Sequence, residues 1–405
     1  MQARYDVVVV GAGIHGAGVA QAAAARGYSV LVLEQHGVAS GTSSRSSKLI
    51  HGGLRYLESY QFALVRECLR ERDLLLRLAP ELVQLKDFFI PVYGHTSRRP
   101  GHIRLGLSAY SLLDGFRKTS RFRTLRRAEW DQLDGLNVHD LQQVFCYRDA
   151  QTDDAALTRA VLHSACSLGA ELAFPATLKQ LRRHKQGCEA EVIYQGKTLH
   201  CQARVLVNAA GPWINEVMQK ITPAVMPLAM ELVQGTHLVI DDGVQHGLYY
   251  LEAPQDRRAV FVMPWQGRML LGTTETTYQG DPASVTPLPQ ECEYLLEVLQ
   301  HYFPRFAQQS VTVVDAFAGL RVLPMAPQSA FHRARDTLLW LDDEHQPTVL
   351  GIYGGKLTAY RATAEKVLRC LRAVLPPRKA CADTRRITLQ PVTPVQMDTP
   401  QQDRL

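Results

Sequence analysis

The opening of the chain switches twice between the hydrophobic period of a strand and that of a helix. Residues 5–10 (YDVVVV) form an unbroken β-branched run, and residues 29–33 (SVLVL) repeat it. Between them, residues 15–26 are alanine-rich and of helical length. A strand, helix and strand in this order predict a parallel sheet with a helix on its face. Apolar positions then recur at helical spacing over residues 61–78, with arginines opposite, and Pro80 ends the run. Residues 153–169 again read as a helix, with Asp at the start and Gly at the end as caps. Short β-like pieces follow at 189–194 and 204–209.

After Pro212 the texture changes. Residues 235–240, 248–251, 259–264 and 269–272 are short alternating runs separated by turn residues, the pattern of an antiparallel sheet. A helix is expected over 290–302, a buried strand over 348–353 and a last helix over 359–374. The fold class expected is therefore α/β: a Rossmann-like dinucleotide-binding domain with an inserted antiparallel-sheet substrate domain. Its discontinuous cofactor part would take residues 1–60, 145–215 and 310–385. The substrate or cap part would take 61–144 and 216–309, and 386–405 would form a loose tail.

The two strands of the opening unit are joined by Gly11-Ala12-Gly13-Ile14-His15-Gly16, a GxGxxG that opens the helix, and the second strand ends at Glu34. Gly11 permits the tight turn, Gly13 lets backbone approach a pyrophosphate, and Gly16 lets the helix pack on the strand. The helix N-terminus turns free N–H groups toward the phosphates. Glu34 is placed to accept from ribose hydroxyls and to repel a 2′-phosphate. Three further glycine-punctuated segments follow, at 41–53, 209–212 and 354–358. A simple nicotinamide enzyme needs only the first, whereas an enclosed FAD must be met by backbone along its length.

Composition narrows the picture a little. The chain has 405 residues, 46% of them hydrophobic and 21% charged, with a formal net charge of +6. That is ordinary for a globular protein and long enough for two domains. The eight cysteines show no CxxC and no Cys/His cluster, so reduced thiols and no metal are expected. No leader sequence is visible, and four glycines argue against a membrane span at 7–25, which points to the cytoplasm. Residues 97–127 are arginine-rich around an apolar helix-like run (IRLGLSAYSLLDGF). A solvated face is the first reading, contact with an anionic membrane the second, and nucleic acid the last.

The segments GTSSRSSKLIHGGLRYLE (41–58), NAAGPW (208–213), GTTE (272–275), YQGDP (278–282), AGLRVLP (318–324) and YGGKLTAYR (353–361) resemble, in that order, the FAD-dependent glycerol-3-phosphate dehydrogenases. Those belong to the D-amino-acid-oxidase-like flavoproteins. The resemblance implies FAD held by Gly11, Gly13, Gly16, Glu34, Thr42, Ser43, Ser47, Ala210, Gly211, Gly355, Leu357 and Thr358. It implies a substrate phosphate held by Arg55, Tyr56, Arg321 and Lys356, and guanidinium and ammonium donors suit a dianion. The implied reaction oxidises sn-glycerol 3-phosphate to dihydroxyacetone phosphate by hydride transfer to flavin N5, with electrons passed to quinone or another carrier. His237 is the first candidate for the base and His51 the second.

Some positions depart from the family pattern. Glu275 stands where the family has Asp, Val322 where it has Pro, and Ala156 where it has Arg, with Arg159 one turn on as a possible substitute. Typical members also continue into a C-terminal helical domain beyond the point where this chain stops. Two alternatives therefore stay open: a flavoenzyme for another anionic 2-hydroxy acid or amino acid, and a non-catalytic flavin-binding protein.

Overall fold

In the computed structural model, which describes residues 1–325 and 337–394, the chain forms two large sheets. The first is built on Arg4–Val10, whose residues Val7 to Val10 are buried. A β-branched run without polar alternation has no wet face, and here both faces are covered. This strand pairs in parallel with Val30–Leu33 on one side and Lys197–Asn208 on the other. Glu171–Ala173 and Val349–Tyr353 extend the parallel set outward. Lys197–Asn208 changes partner along its length. Its first half continues an antiparallel hairpin with Gly187–Tyr194, and its last three residues join Val349–Gly351.

Six helices matter for the site: α1 (Ile14–Ala25), α2 (Phe62–Leu78), α3 (Pro100–Leu113), α4 (Asp154–Ser167), α5 (Pro289–Tyr302) and α6 (Tyr360–Cys370). All of α1 except His15 is buried, and it packs against both α4 and α6. That explains its alanine content, since a helix covered on all sides has no polar face to keep. The Asp153 carboxylate caps α4 by accepting from Ala156 N at 2.8 Å.

The second sheet centres on Met230–Ile240, antiparallel to Val313–Pro324 on one side and to Arg268–Gly272 and Thr276–Tyr278 on the other. Its far end pairs Val83–Tyr93 with Leu141–Thr152. One pairing departs from the antiparallel rule: Leu248–Glu252 runs parallel to Val83–Tyr93.

The expected elements lie within a few residues of observed ones, but the strands Val83–Tyr93, Leu141–Thr152, Ala176–His184 and Val313–Pro324 are not among those expected. Val83–Tyr93 carries Lys86, Asp87 and Pro91, and Leu141–Thr152 carries Arg148 and Asp149, so neither shows a clean strand period. They form because they pair with each other over their whole length. Together with Val313–Pro324 they lie in the second sheet, so the boundaries drawn at 145 and 310 run differently from the sheets. The segment from 376 has no long element, yet it is not loose as far as Val392. Cys381 N and Ala382 N donate to Ala25 O, Leu389 N donates to Leu78 O at 2.7 Å, and Leu389 and Val392 are buried. Residues 395–405 of the expected tail lie outside the described residues.

Candidate active site

Parallel strands present their carboxyl ends along one edge, and ligands of open α/β sheets bind there. In this sheet Arg4–Val10 ends at Gly11, Val30–Leu33 at Glu34, Lys197–Asn208 at Ala209 to Gly211, and Val349–Tyr353 at Gly354 to Lys356. These ends and the 40–51 loop line a cavity of about 350 Å³. Its opposite wall is the second sheet, through Gly235, His237, Thr273 and residues 319–323. All the site residues proposed from sequence line this cavity except Gly16 and Arg55.

Gly16 serves the packing instead. A Cβ there would lie 1.9 Å from the Gly11 carbonyl oxygen, and one on Gly11 would lie 2.7 Å from Ala209 O. Close approach of three backbone segments therefore shapes this end of the cavity. The Glu34 carboxylate accepts from Ala12 N (2.7 Å), His36 N (2.8 Å) and Gly37 N (3.2 Å), which satisfies its buried charge and fixes it at the cavity wall. Ser43 Oγ accepts from Ile14 N at 2.9 Å, and Thr42 Oγ1 donates to Leu320 O at 2.8 Å. The serine-rich loop thus bridges the N-terminus of α1 and the second sheet.

His237 is buried. Its Nε2 meets Ser47 Oγ at 2.9 Å and its ring stacks on Phe317. Burial, with the positive charges of Arg321 and Lys48 adding to it, pushes its pKa down to about 3. His51 is half-buried, and its backbone N–H donates to Thr358 Oγ1 at 3.1 Å. The Arg321 guanidinium donates to Glu275 Oε1 (2.6 Å), Thr273 Oγ1 (3.1 Å) and Thr274 O (3.0 Å). Lys356 Nζ is buried, has no hydrogen-bond acceptor among the described residues, and lies 3.4 Å from the Tyr56 ring centroid. Arg55 shares a single 3-10 turn with Tyr56 and is not among the residues that line the cavity, but it lies close enough to Tyr250 for its charge to act there. Arg159 Nε donates to Val392 O at 3.4 Å, and Arg159 is not among the residues lining the cavity.

Several cavity residues had no sequence signal strong enough to single them out. Asp154 is fully buried, lines the cavity and pairs with Lys48 Nζ at 2.6 Å. Trp213 packs against Gly41, where a Cβ would meet its ring at 3.2 Å. His15 follows the second fingerprint glycine with its Nδ1 buried and without a partner, and burial lowers its pKa to about 4. A Lys in SSKL and a His in the fingerprint were the available cues, but pairing and burial are long-range properties. The N-terminus of α1 faces the cavity with no acidic side chain in its first turn. That end, the glycine edge and the unpartnered His15 and Lys356 nitrogens suit an extended anionic cofactor with an anionic substrate beside it.

Residues 6–361 match the model of the FAD dependent oxidoreductase family, DAO. The chain belongs to this family. It is an FAD-dependent oxidoreductase, and its cofactor is FAD. It is 38% identical over 374 residues to a glycerol-3-phosphate dehydrogenase of Pseudomonas aeruginosa, covering 91% of this chain and 72% of that one. A D-erythritol 1-phosphate dehydrogenase of Brucella abortus is 35% identical, with 92% and 74% covered. The fold matches the FAD complex of the Bacillus halodurans glycerol-3-phosphate dehydrogenase with a TM-score of 0.74 at 24% identity, covering 95% of this chain and 68% of that one. Among the described residues of the oxidoreductase, no helix is long and apolar enough to cross a membrane.

Proposed function

We propose that this oxidoreductase converts sn-glycerol 3-phosphate to dihydroxyacetone phosphate. The observation that carries the reading is the buried Lys356 ammonium, which lines the cavity without an acceptor of its own. A buried cation calls for an anion, and Arg321 enters the same cavity as a second donor. A phosphate bonded by both would leave the adjacent secondary carbinol inside the cavity, near the glycine edge. FAD, when bound, supplies the two-electron acceptor for the hydride that leaves this carbon.

The chain's own task is to take the hydroxyl proton. A base works best with a pKa near the working pH. His237, held near 3 with Nε2 occupied by Ser47, suits a fixed hydrogen-bonding role. His51 also lines the cavity and has its backbone anchored by Thr358, and it is the base in this reading. Electrons then pass to a quinone or another carrier. Contact with an anionic membrane surface is part of the proposal. The outer side of α3 exposes Leu105 and Leu112, Phe116 follows, and Arg104, Arg117, Lys118 and Arg121 surround them.

The Brucella relative favours a second reading, a tetritol phosphate, which offers the same phosphate to Lys356 and Arg321 on a chain one carbon longer. Anaerobic addition of sn-glycerol 3-phosphate, D-erythritol 1-phosphate or unphosphorylated glycerol to the FAD-loaded protein tests both. Bleaching of the flavin absorbance by the first alone supports the first reading, and preference for the second compound replaces it. Equal bleaching by glycerol removes the role given to Lys356.

A further inference from the structure

The buried carboxylate of Glu291, at the start of α5, has no part in the reaction described above and is 4% exposed. It accepts from Gln234 Nε2 (2.7 Å) and Thr236 Oγ1 (2.6 Å) on one strand. It also accepts from Thr274 Oγ1 (2.6 Å) and Thr276 Oγ1 (2.8 Å) on the neighbouring segment, and from Leu288 N. Burial alone would raise this carboxyl, but the hydrogen bonds from Thr236, Thr274, Thr276 and Leu288 more than offset it and leave it below its ordinary value.

The spacing of these donors is what matters. Side chains alternate between the two faces of a strand. With Gln234 and Thr236 turned to Glu291, Gly235 and His237 face the cavity. With Thr274 and Thr276 turned to Glu291, the residue between them, Glu275, faces away and pairs with Arg321. Gly235 leaves the space Arg321 uses, since a Cβ there would lie 2.4 Å from Arg321 Nη2 and 2.5 Å from Thr273 Oγ1. One carboxylate therefore grips, from behind, both backbone segments that form the slot around the Arg321 guanidinium.

We propose that Glu291 is a positioning residue for anion recognition, holding the Gly235 and Thr273–Glu275 walls at the separation that presents Arg321 to the substrate's phosphate. The inference rests on the substrate reading above for the anion's identity. It assigns to a residue that touches neither substrate nor cofactor a share of affinity, distinct from a share in overall stability.

The test uses FAD-loaded enzyme and inorganic phosphate as the probe, with its Kd read from perturbation of the flavin spectrum. Glu291→Gln is expected to weaken phosphate binding about tenfold, because the amide cannot accept from Gln234 and all three hydroxyls at once. Thr276→Val, which removes one hydroxyl at constant shape, is expected to weaken it about threefold, whereas Thr276→Ser restores affinity to within about twofold of wild type. In parallel, KM for sn-glycerol 3-phosphate rises more than kcat falls, and FAD content is retained. An unchanged phosphate Kd in Glu291→Gln overturns the proposal, as does a serine variant as weak as the valine one, or loss of FAD in step with loss of phosphate. If Glu291→Gln fails to fold, the Thr276 pair decides alone. Wild-type enzyme that binds phosphate but is not reduced by sn-glycerol 3-phosphate removes the substrate reading and leaves this comparison intact. Wild-type enzyme indifferent to phosphate removes both.

Discussion

The two walls of the cavity are made by different means. The parallel-sheet edge is built mainly from backbone: glycines at strand ends, a helix N-terminus, and a carboxylate held by three N–H groups, with the buried Lys356 ammonium beside them at the cavity. The second-sheet wall presents side chains, Arg321 and His237, each held by polar partners from elsewhere in the chain. Backbone recognition is set by what is missing, a Cβ, and a single added atom disrupts it. Side-chain recognition is set by what is aimed, and damage there is graded. FAD binding and substrate binding should therefore separate cleanly under mutation.

The sharpest challenge is Gly16→Ala. Its new methyl would overlap the Gly11 carbonyl, so α1 must move off the sheet, at a cost of ~3 kcal/mol. Purified protein should be nearly colourless, with a depressed Tm, and a yellow, stable variant would break the comparison. Arg321→Ala comes next. Substrate recognition should fall by about 2–5 kcal/mol in kcat/KM, with the flavin spectrum intact, and loss of FAD would mean that the two walls are not separable. Arg55→Ala should do less, about 1 kcal/mol, because Arg55, unlike its neighbour Tyr56, is not among the residues lining the cavity. Steady-state kinetics on both variants ranks them, and the reverse order would make Arg55 the stronger phosphate ligand of the two.

The smallest effect near neutral pH comes from His237. In the folded protein it stays neutral down to about pH 3, whereas in the unfolded chain it takes a proton near 6.5. Below 6.5 the unfolded state binds the extra proton, so stability falls as pH drops, levelling off only below about 3. At pH 5.5 the loss is about 1 kcal/mol, with none above 7. Denaturant titrations of wild type and His237→Asn at pH 5.5 and 8 should show this difference shrinking in the variant. An identical slope would mean that His237 is not buried as a neutral ring.

The same contrast explains what the sequence disclosed. The glycine edge is written locally, and residues 5–16, Glu34 and 354–358 could be assigned to it because strand, turn and helix follow one another directly. Arg321 and Lys356 were legible through specific motifs. Glu291, Asp154 and His15 were not, since a carboxylate or imidazole in the sequence carries no mark of burial or of the partners that folding brings to it. For Arg55 the motif marks a neighbourhood: its turn, Leu54 to Leu57, also holds Tyr56, which lines the cavity, whereas Arg55 is not among the lining residues. Val83–Tyr93 and Leu141–Thr152 were hidden because each is stabilised by the other and not by its own pattern.

The Lys356 ammonium resting on the Tyr56 ring joins two stretches of chain three hundred residues apart. An anion bonded to that ammonium would be a clasp between the first and last parts of the fold. At a hundredfold excess over its Kd such a ligand raises stability by about 2.7 kcal/mol. On the proposed reading the enzyme would resist heat and proteolysis better as substrate rises past its Kd, the gain growing with the logarithm of concentration, so its lifetime would follow the supply of what it consumes.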